Sequence, residues 1–245
     1  MVDLRLAASF RRIGEEYDLR RPGFPEEAAA EVLPGPVGSV LDLGAGTGKF
    51  TELLIDRADR VIAVEPSDPM RAVLMRKLPA VDARDGSAEE IPLRAASVDA
   101  VVAAQAFHWF DRERACAEIR RVLVPQGVLG LVWNRSVPDC TWDRACSRIA
   151  HPALEPGPSA LDGPSEHLPG FEGPRVVHVP WFESIGRDEY IARWLTVSSF
   201  LAADPLESAR MVALIEDVLD TDPATAGRSR FTLPQVTEVF VYRSL

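Results

Sequence analysis

Val40–Phe50 reads VLDLGAGTGKF, and the fold turns on how this stretch is read. An apolar run breaks into glycines at 44, 46 and 48, and a helical pattern resumes behind them, so the segment predicts strand, tight turn and helix. Glycine accepts positive φ and lets a ligand press against the backbone, and the helix beyond offers unpaired amides. A phosphate-binding P-loop needs a glycine five positions before the Gly-Lys pair and a hydroxyl after it; Leu43 and Phe50 stand there. A dinucleotide loop needs its third small residue three positions after the second glycine, and that place is Lys49. What remains is an acid just before the turn, Asp42, alternate glycines, and a second acid, Glu65, after the next strand. An ordinary strand-turn-helix with convenient glycines is the bland alternative.

Outward from the loop, element types alternate. Strands are expected at 39–43, 60–64, 81–84, 97–103 and 127–133, and helices at 49–59, 69–78 and 112–124. That alternation implies right-handed βαβ units and a mostly parallel sheet. Runs such as VVAA and VLGLVW suit strands buried on both faces. Upstream, Phe10, Ile13 and Tyr17 share one helical face; Pro22 and Pro25 then force a break before a second helix over 26–33. This arm is either a cap or a lid over the ligand. Tyr17 and Arg21 offer a hydroxyl and a guanidinium fork suited to a carboxylate. Downstream, residues 135–174 are rich in proline and glycine with one short helix near 142–150; a strand is expected at 175–182, helices at 187–203 and 205–219, and a final strand at 237–242.

With 47% hydrophobic residues in 245, the chain can bury a full α/β core. A net charge of -10 argues against nucleic acid as partner. Only Lys49 and Lys77 are lysines; arginine supplies the remaining basic charge. Three cysteines at 116, 140 and 146 match no disulfide framework or zinc spacing, so no metal is expected. No run is long enough to cross a bilayer, and MVDLRLAASFRR lacks a secretory apolar stretch. The expectation is a cytoplasmic protein without membrane partners, monomeric or homodimeric.

Open α/β sheets bind ligands beyond the carboxyl ends of their strands. Here those ends carry Asp42–Gly48, Glu65-Pro66-Ser67 with Met70 following, Asp85-Gly86-Ser87-Ala88, and Gln105–Phe110. The ordered segments VLDLGAGTGKFT, VIAVEPSDPM, DGSAEEIPL, SVDAVVAAQAFHWFD and LVPQGVLGLVWN resemble motifs I to V of the class I S-adenosylmethionine (SAM)-dependent methyltransferases. More narrowly they resemble the methyltransferase-11-like small-molecule group that includes trans-aconitate methyltransferase relatives. The resemblance covers roughly 10–134 and implies a Rossmann-like α/β fold: a mostly parallel seven-stranded sheet with helices on both faces and a helical lid. The corresponding division is 1–36 lid, 37–134 SAM-binding core, 135–229 insertion and lid region holding the 175–182 strand, and 230–245 closing strand.

By that resemblance Asp42, Gly44, Ala45 and Gly46 surround the methionine end of SAM, Glu65 beside Pro66 takes the ribose, Met70 packs on adenine, and Ser87 and Ala88 lie at its edge. Ser87 departs from the aspartate common among relatives, which leaves the adenine contact to backbone groups, Asp85 or Glu89. Tyr17, Arg21 and Gln105 complete the expected cofactor set. Gln105–Phe110 lie where the methyl emerges, and they lack the Asn-Pro-Pro-Tyr pattern that holds exocyclic amines. The expected activity is methyl transfer to a small-molecule oxygen, a carboxylate or a hydroxyl. His108, with an ordinary pKa of about 6.5, is either the base for a hydroxyl or a packed junction residue. A SAM-binding regulator without transfer activity is the competing class; a nicotinamide oxidoreductase is opposed by Lys49.

Overall fold

The computed structural model describes residues 14–151 and 167–245, apart from the side chains at 16, 17 and 198. Helices α1 (Gly14–Arg20) and α2 (Glu26–Val32) lead into β1 (Val37–Leu43), followed by α3 (Thr51–Leu54), β2 (Ala58–Val64), α4 (Asp68–Lys77), β3 (Asp82–Arg84), β4 (Val98–Ala104), α5 (Arg112–Val122) and β5 (Leu123–Ser136). The second half contributes α6 (Thr141–Ala150), β6 (Phe171–Gly186), α7 (Arg187–Trp194), α8 (Ser198–Ala202), α9 (Pro205–Thr221) and β7 (Arg230–Ser244).

The strands form one seven-stranded sheet in the order β3-β2-β1-β4-β5-β7-β6, with β1 to β5 parallel and β7 antiparallel to both neighbours. Chain direction along the sheet reverses between β1 and β4, so the crevice beyond these two strands is the switch point where such sheets bind ligands. Alternation along β1 explains its two covered faces. Leu41 and Leu43 pack with Ile119 of α5, whereas Val40 packs on the other side with Ala29 and Val32 of α2. Asp42 follows the second side and is therefore a carboxyl group in an apolar layer.

A third buried cluster lies off the sheet. β5 pairs with β7 only as far as Ser136 opposite Gln235, while β6 and β7 continue together to Gly186 opposite Arg230. The projecting ribbon carries Ile185, Phe231 and Leu233 into a core with Trp142, Tyr190, Ile215 and Leu219 from the cap helices α6, α7 and α9. Trp142 packs edge-on against Tyr190 and Phe231 at ring separations of 5.2 and 5.0 Å.

Several expected elements change length. The helix expected over 49–59 shrinks to Thr51–Leu54 and a 3-10 turn at Ile55–Arg57, behind a loop that bonds itself through Gly48 N–H to Ala45 C=O. The helix expected over 187–203 divides at Thr196, whose hydroxyl bonds the Arg193 carbonyl while Val197 turns extended; such local side-chain bonds compete with helix continuation. β6 and β7 outgrow their expected 175–182 and 237–242 ranges because each supplies the other's ladder partner.

Candidate active site

The glycine loop is held from behind by the second strand: the amides of Gly44 and Ala45 both donate to the Val64 carbonyl. Gly44 has φ of 72°, and a Cβ there would lie 2.7 Å from the Ala106 methyl carbon. Its small size thus lets β1 and the residues after β4 close on one another. Gly46, at φ 56°, is different, since among the described residues a Cβ on it would meet only the Met70 sulfur at 3.9 Å. The loop is tight against the sheet at Gly44 and open toward Met70 at Gly46.

Glu65 closes the other side. Its two carboxylate oxygens accept from the amides of Gly46 and Ser67, each at 2.8 Å, and Arg71 on α4 donates to its carbonyl at 2.6 Å. Asp42 accepts from the Thr51 hydroxyl at 2.6 Å through Oδ2, whereas Oδ1 is buried without a partner among the described residues. Burial, with a smaller contribution from Glu65, pushes its carboxyl up to about 7 despite the Thr51 bond. Met70 and Ala88 are buried. Ser87 turns inward on its own segment, taking bonds from the Glu89 amide with its hydroxyl and from the Glu90 amide with its carbonyl. Pro66 joins Glu65 to Ser67 at the start of α4.

At the end of β4, Gln105 has φ of 53°, uncommon for a residue with a side chain and a mark of a constrained site. Its side-chain amide donates to the Asn134 carbonyl at 3.2 Å, and Asn134 in turn donates to Gly23 and accepts from Thr237. Gln105 therefore ties β4 to β5 and, through Asn134, to β7. His108 follows in a 3-10 turn (Phe107–Trp109), with its Nδ1 buried and unpartnered among the described residues. Burial first, and the Arg135 guanidinium second, push its pKa down to about 4. Arg135 extends from β5, bonds Glu238 through Nε at 3.0 Å, and leaves Nη2 buried without a partner among the described residues.

Of the sequence-selected residues, Asp42, Gly44, Ala45, Gly46, Glu65 and Met70 gather at the ends of β1 and β2, while Gln105 and His108 stand across the switch point. Arg21 donates to the Thr196 carbonyl at 3.1 Å. The Tyr17 side chain lies outside the described residues. Sequence reading missed Thr51, which closes the first quoted segment and holds Asp42, and Arg71, which follows the second segment and holds Glu65. Asp143 and Tyr190 were missed as well: Tyr190 donates to Asp143 at 2.6 Å inside the cap core, a pair separated by 47 residues.

The residues suit SAM. Glu65 is an anchored carboxylate whose oxygens can accept further bonds from hydroxyls, Asp42 Oδ1 is a buried acceptor, and the Gly46 face is open beside an apolar thioether. A strand-loop-strand arrangement of this kind, at this switch point, defines a class I SAM-dependent methyltransferase.

Similarity to known proteins agrees. A family model described as a methyltransferase domain matches residues 41–131. An uncharacterized methyltransferase of Mycobacterium tuberculosis is 36% identical over 232 residues, covering 95% of this chain and 94% of its own, and an uncharacterized methyltransferase-like protein of Schizosaccharomyces pombe is 33% identical over 98% and 95% of the two chains. The solved structure of a candidate type II methyltransferase from Anaeromyxobacter dehalogenans aligns with a TM-score of 0.67 and 26% identity over 91% of this chain and 97% of that one. The chain belongs to the SAM-dependent methyltransferase family. No helix among the described residues is long and apolar enough to cross a membrane.

Proposed function

We propose that this methyltransferase modifies an oxygen of a small-molecule acceptor, and that this oxygen arrives already anionic, as a carboxylate. The observation that carries the reading is the pair of buried nitrogens, His108 Nδ1 and Arg135 Nη2, unpartnered among the described residues on neighbouring elements beyond the switch point. Orphan polar atoms of this kind cost about 1–3 kcal/mol each, so a ligand that engages them is favoured. A histidine pushed down to about 4 is neutral at pH 7 but a weak base, which leaves proton removal from an alcohol poorly served. A carboxylate needs no base.

SAM supplies a methyl group already activated on its sulfonium. The chain's contribution is placement. Glu65, Asp42 and Met70 are expected to hold the donor in the loop, Arg135 to hold the acceptor oxygens by charge-assisted bonds, and Gln105 to fix the distance between β4 and β5. In this reading 1–36 is the lid, 37–134 the donor-binding core, 135–229 the acceptor-side cap and 230–245 the strand that closes the sheet.

Radiolabelled SAM offered with panels of small carboxylic acids, phenols and amines tests the proposal. Carboxylate acceptors should yield methyl esters that release labelled methanol in alkali, and Arg135→Met should raise their KM by about tenfold or more, the loss of a bond to a charged group. Transfer confined to phenols or amines would overturn it.

A further inference from the structure

We infer that Asp18 is a positioning residue for the cofactor: it clasps α1 over the glycine loop, and its release sets the rate at which the spent cofactor leaves. Both lysines of the chain converge on this one carboxylate. Lys77, at the end of α4, reaches Asp18 Oδ1 at 2.7 Å, and Lys49, in the loop itself, reaches the same oxygen at 3.8 Å. The Lys77 ammonium also lies 3.5 Å from the Thr47 carbonyl. One carboxylate of α1 is thus tied to the loop between Gly46 and Gly48 from two directions.

The path of α1 places this clasp over the donor site. Gly14 approaches so closely that a Cβ on it would lie 2.5 Å from the Pro69 carbonyl oxygen and 3.2 Å from the Met70 amide. The helix therefore spans from the first turn of α4, next to Glu65 and Met70, to the glycine loop. At its far end, Arg193 of α7 donates to the Arg20 carbonyl. Gly46, Glu65 and Met70, which would hold the donor, are thus bordered by the helix and by the α4 turn and glycine loop that it bridges.

Among the described side chains, polar contacts hold α1 in that position. A helix of 7 residues is too short to persist without tertiary support. Among its described side chains Leu19 is 77% exposed, and the Glu15 to Arg76 pair is exposed on both partners. Asp18, Lys49 and Lys77 are each only 21–28% exposed, so their attraction is less screened than that of a surface pair. The hold that these described contacts give α1 is electrostatic and weakens as salt rises. Such a hold suits a cover that must lift in every catalytic cycle.

The test is the dissociation rate of S-adenosylhomocysteine from the full chain, followed by stopped-flow fluorescence over a range of salt. The parent should release it faster as salt rises. Asp18→Asn should release it about fivefold faster at low salt and lose most of the salt response, while Asp18→Glu restores both. Lys77→Met should repeat the Asp18→Asn behaviour, and it serves as the test if Asp18→Asn does not fold. A lowered melting temperature accompanied by parental release rates and parental salt dependence would overturn the inference, because a merely structural contact predicts that result. Neither outcome depends on the identity of the acceptor.

Discussion

The donor half and the cap half of this molecule are built on different principles. In the donor half, the ends of β1 and β2 meet through short-range bonds centred on the loop: Glu65 accepts from the Gly46 and Ser67 amides, Asp42 from the Thr51 hydroxyl, and the Val64 carbonyl from the loop amides. In the cap half, the polar groups are joined across long separations: Tyr190 to Asp143 over 47 residues and Arg135 to Glu238 over 103. The first arrangement needs a particular loop conformation. The second needs a completed tertiary fold, and it leaves the cap free to vary without disturbing the donor site.

Substitutions can break this contrast, beginning with the largest effect. Gly44→Val should cost more than about 3 kcal/mol, because it forces a branched side chain into positive φ and into Ala106; denaturant unfolding should show the loss together with undetectable SAM binding. Survival of binding would mean that the loop is not conformationally determined.

The next test uses pH. The Asp42 carboxyl is held at about 7 in the fold against an ordinary 3.8, so between these values the folded chain binds the proton more tightly than the unfolded chain. Stability therefore falls as pH rises through that window. Thermal melts of the parent and Asp42→Asn, without cofactor, should converge at low pH and separate toward pH 7, with the parent losing ground. Parallel curves would show that Asp42 ionises freely.

Smaller effects separate the halves further. Glu65→Ala should weaken SAM by about 1.5–3 kcal/mol in calorimetric titration, with acceptor KM unchanged. Tyr190→Phe should do the reverse: it removes the buried partner of Asp143, lowers stability by about 1–3 kcal/mol, and leaves SAM affinity intact. A common effect of both variants on SAM would collapse the distinction. Smallest is Arg60→Ala, which deletes an exposed pair with Asp82 at 2.7 Å and should change the unfolding free energy by less than about 1 kcal/mol.

The amino-acid sequence by itself determined the sheet and the strand ends that face the crevice, and it nominated the donor-site candidates, because these depend on local signals. Period-two and period-3.6 burial, glycines that permit positive φ, and acids at fixed distances from a strand end all act within about twenty-five residues. It also marked Gln105–Phe110 as special, although not that Gln105 would adopt φ of 53°. Only the tertiary structure decided the rest. The full lengths of β6 and β7 depended on their mutual pairing. The meetings of Asp18 with Lys49 and Lys77, of His108 with the field of Arg135, and of Tyr190 with Asp143 join residues about 25 to 60 apart in the chain. No local pattern encodes those encounters; the crossovers of the sheet and the closure of the cap bring them about.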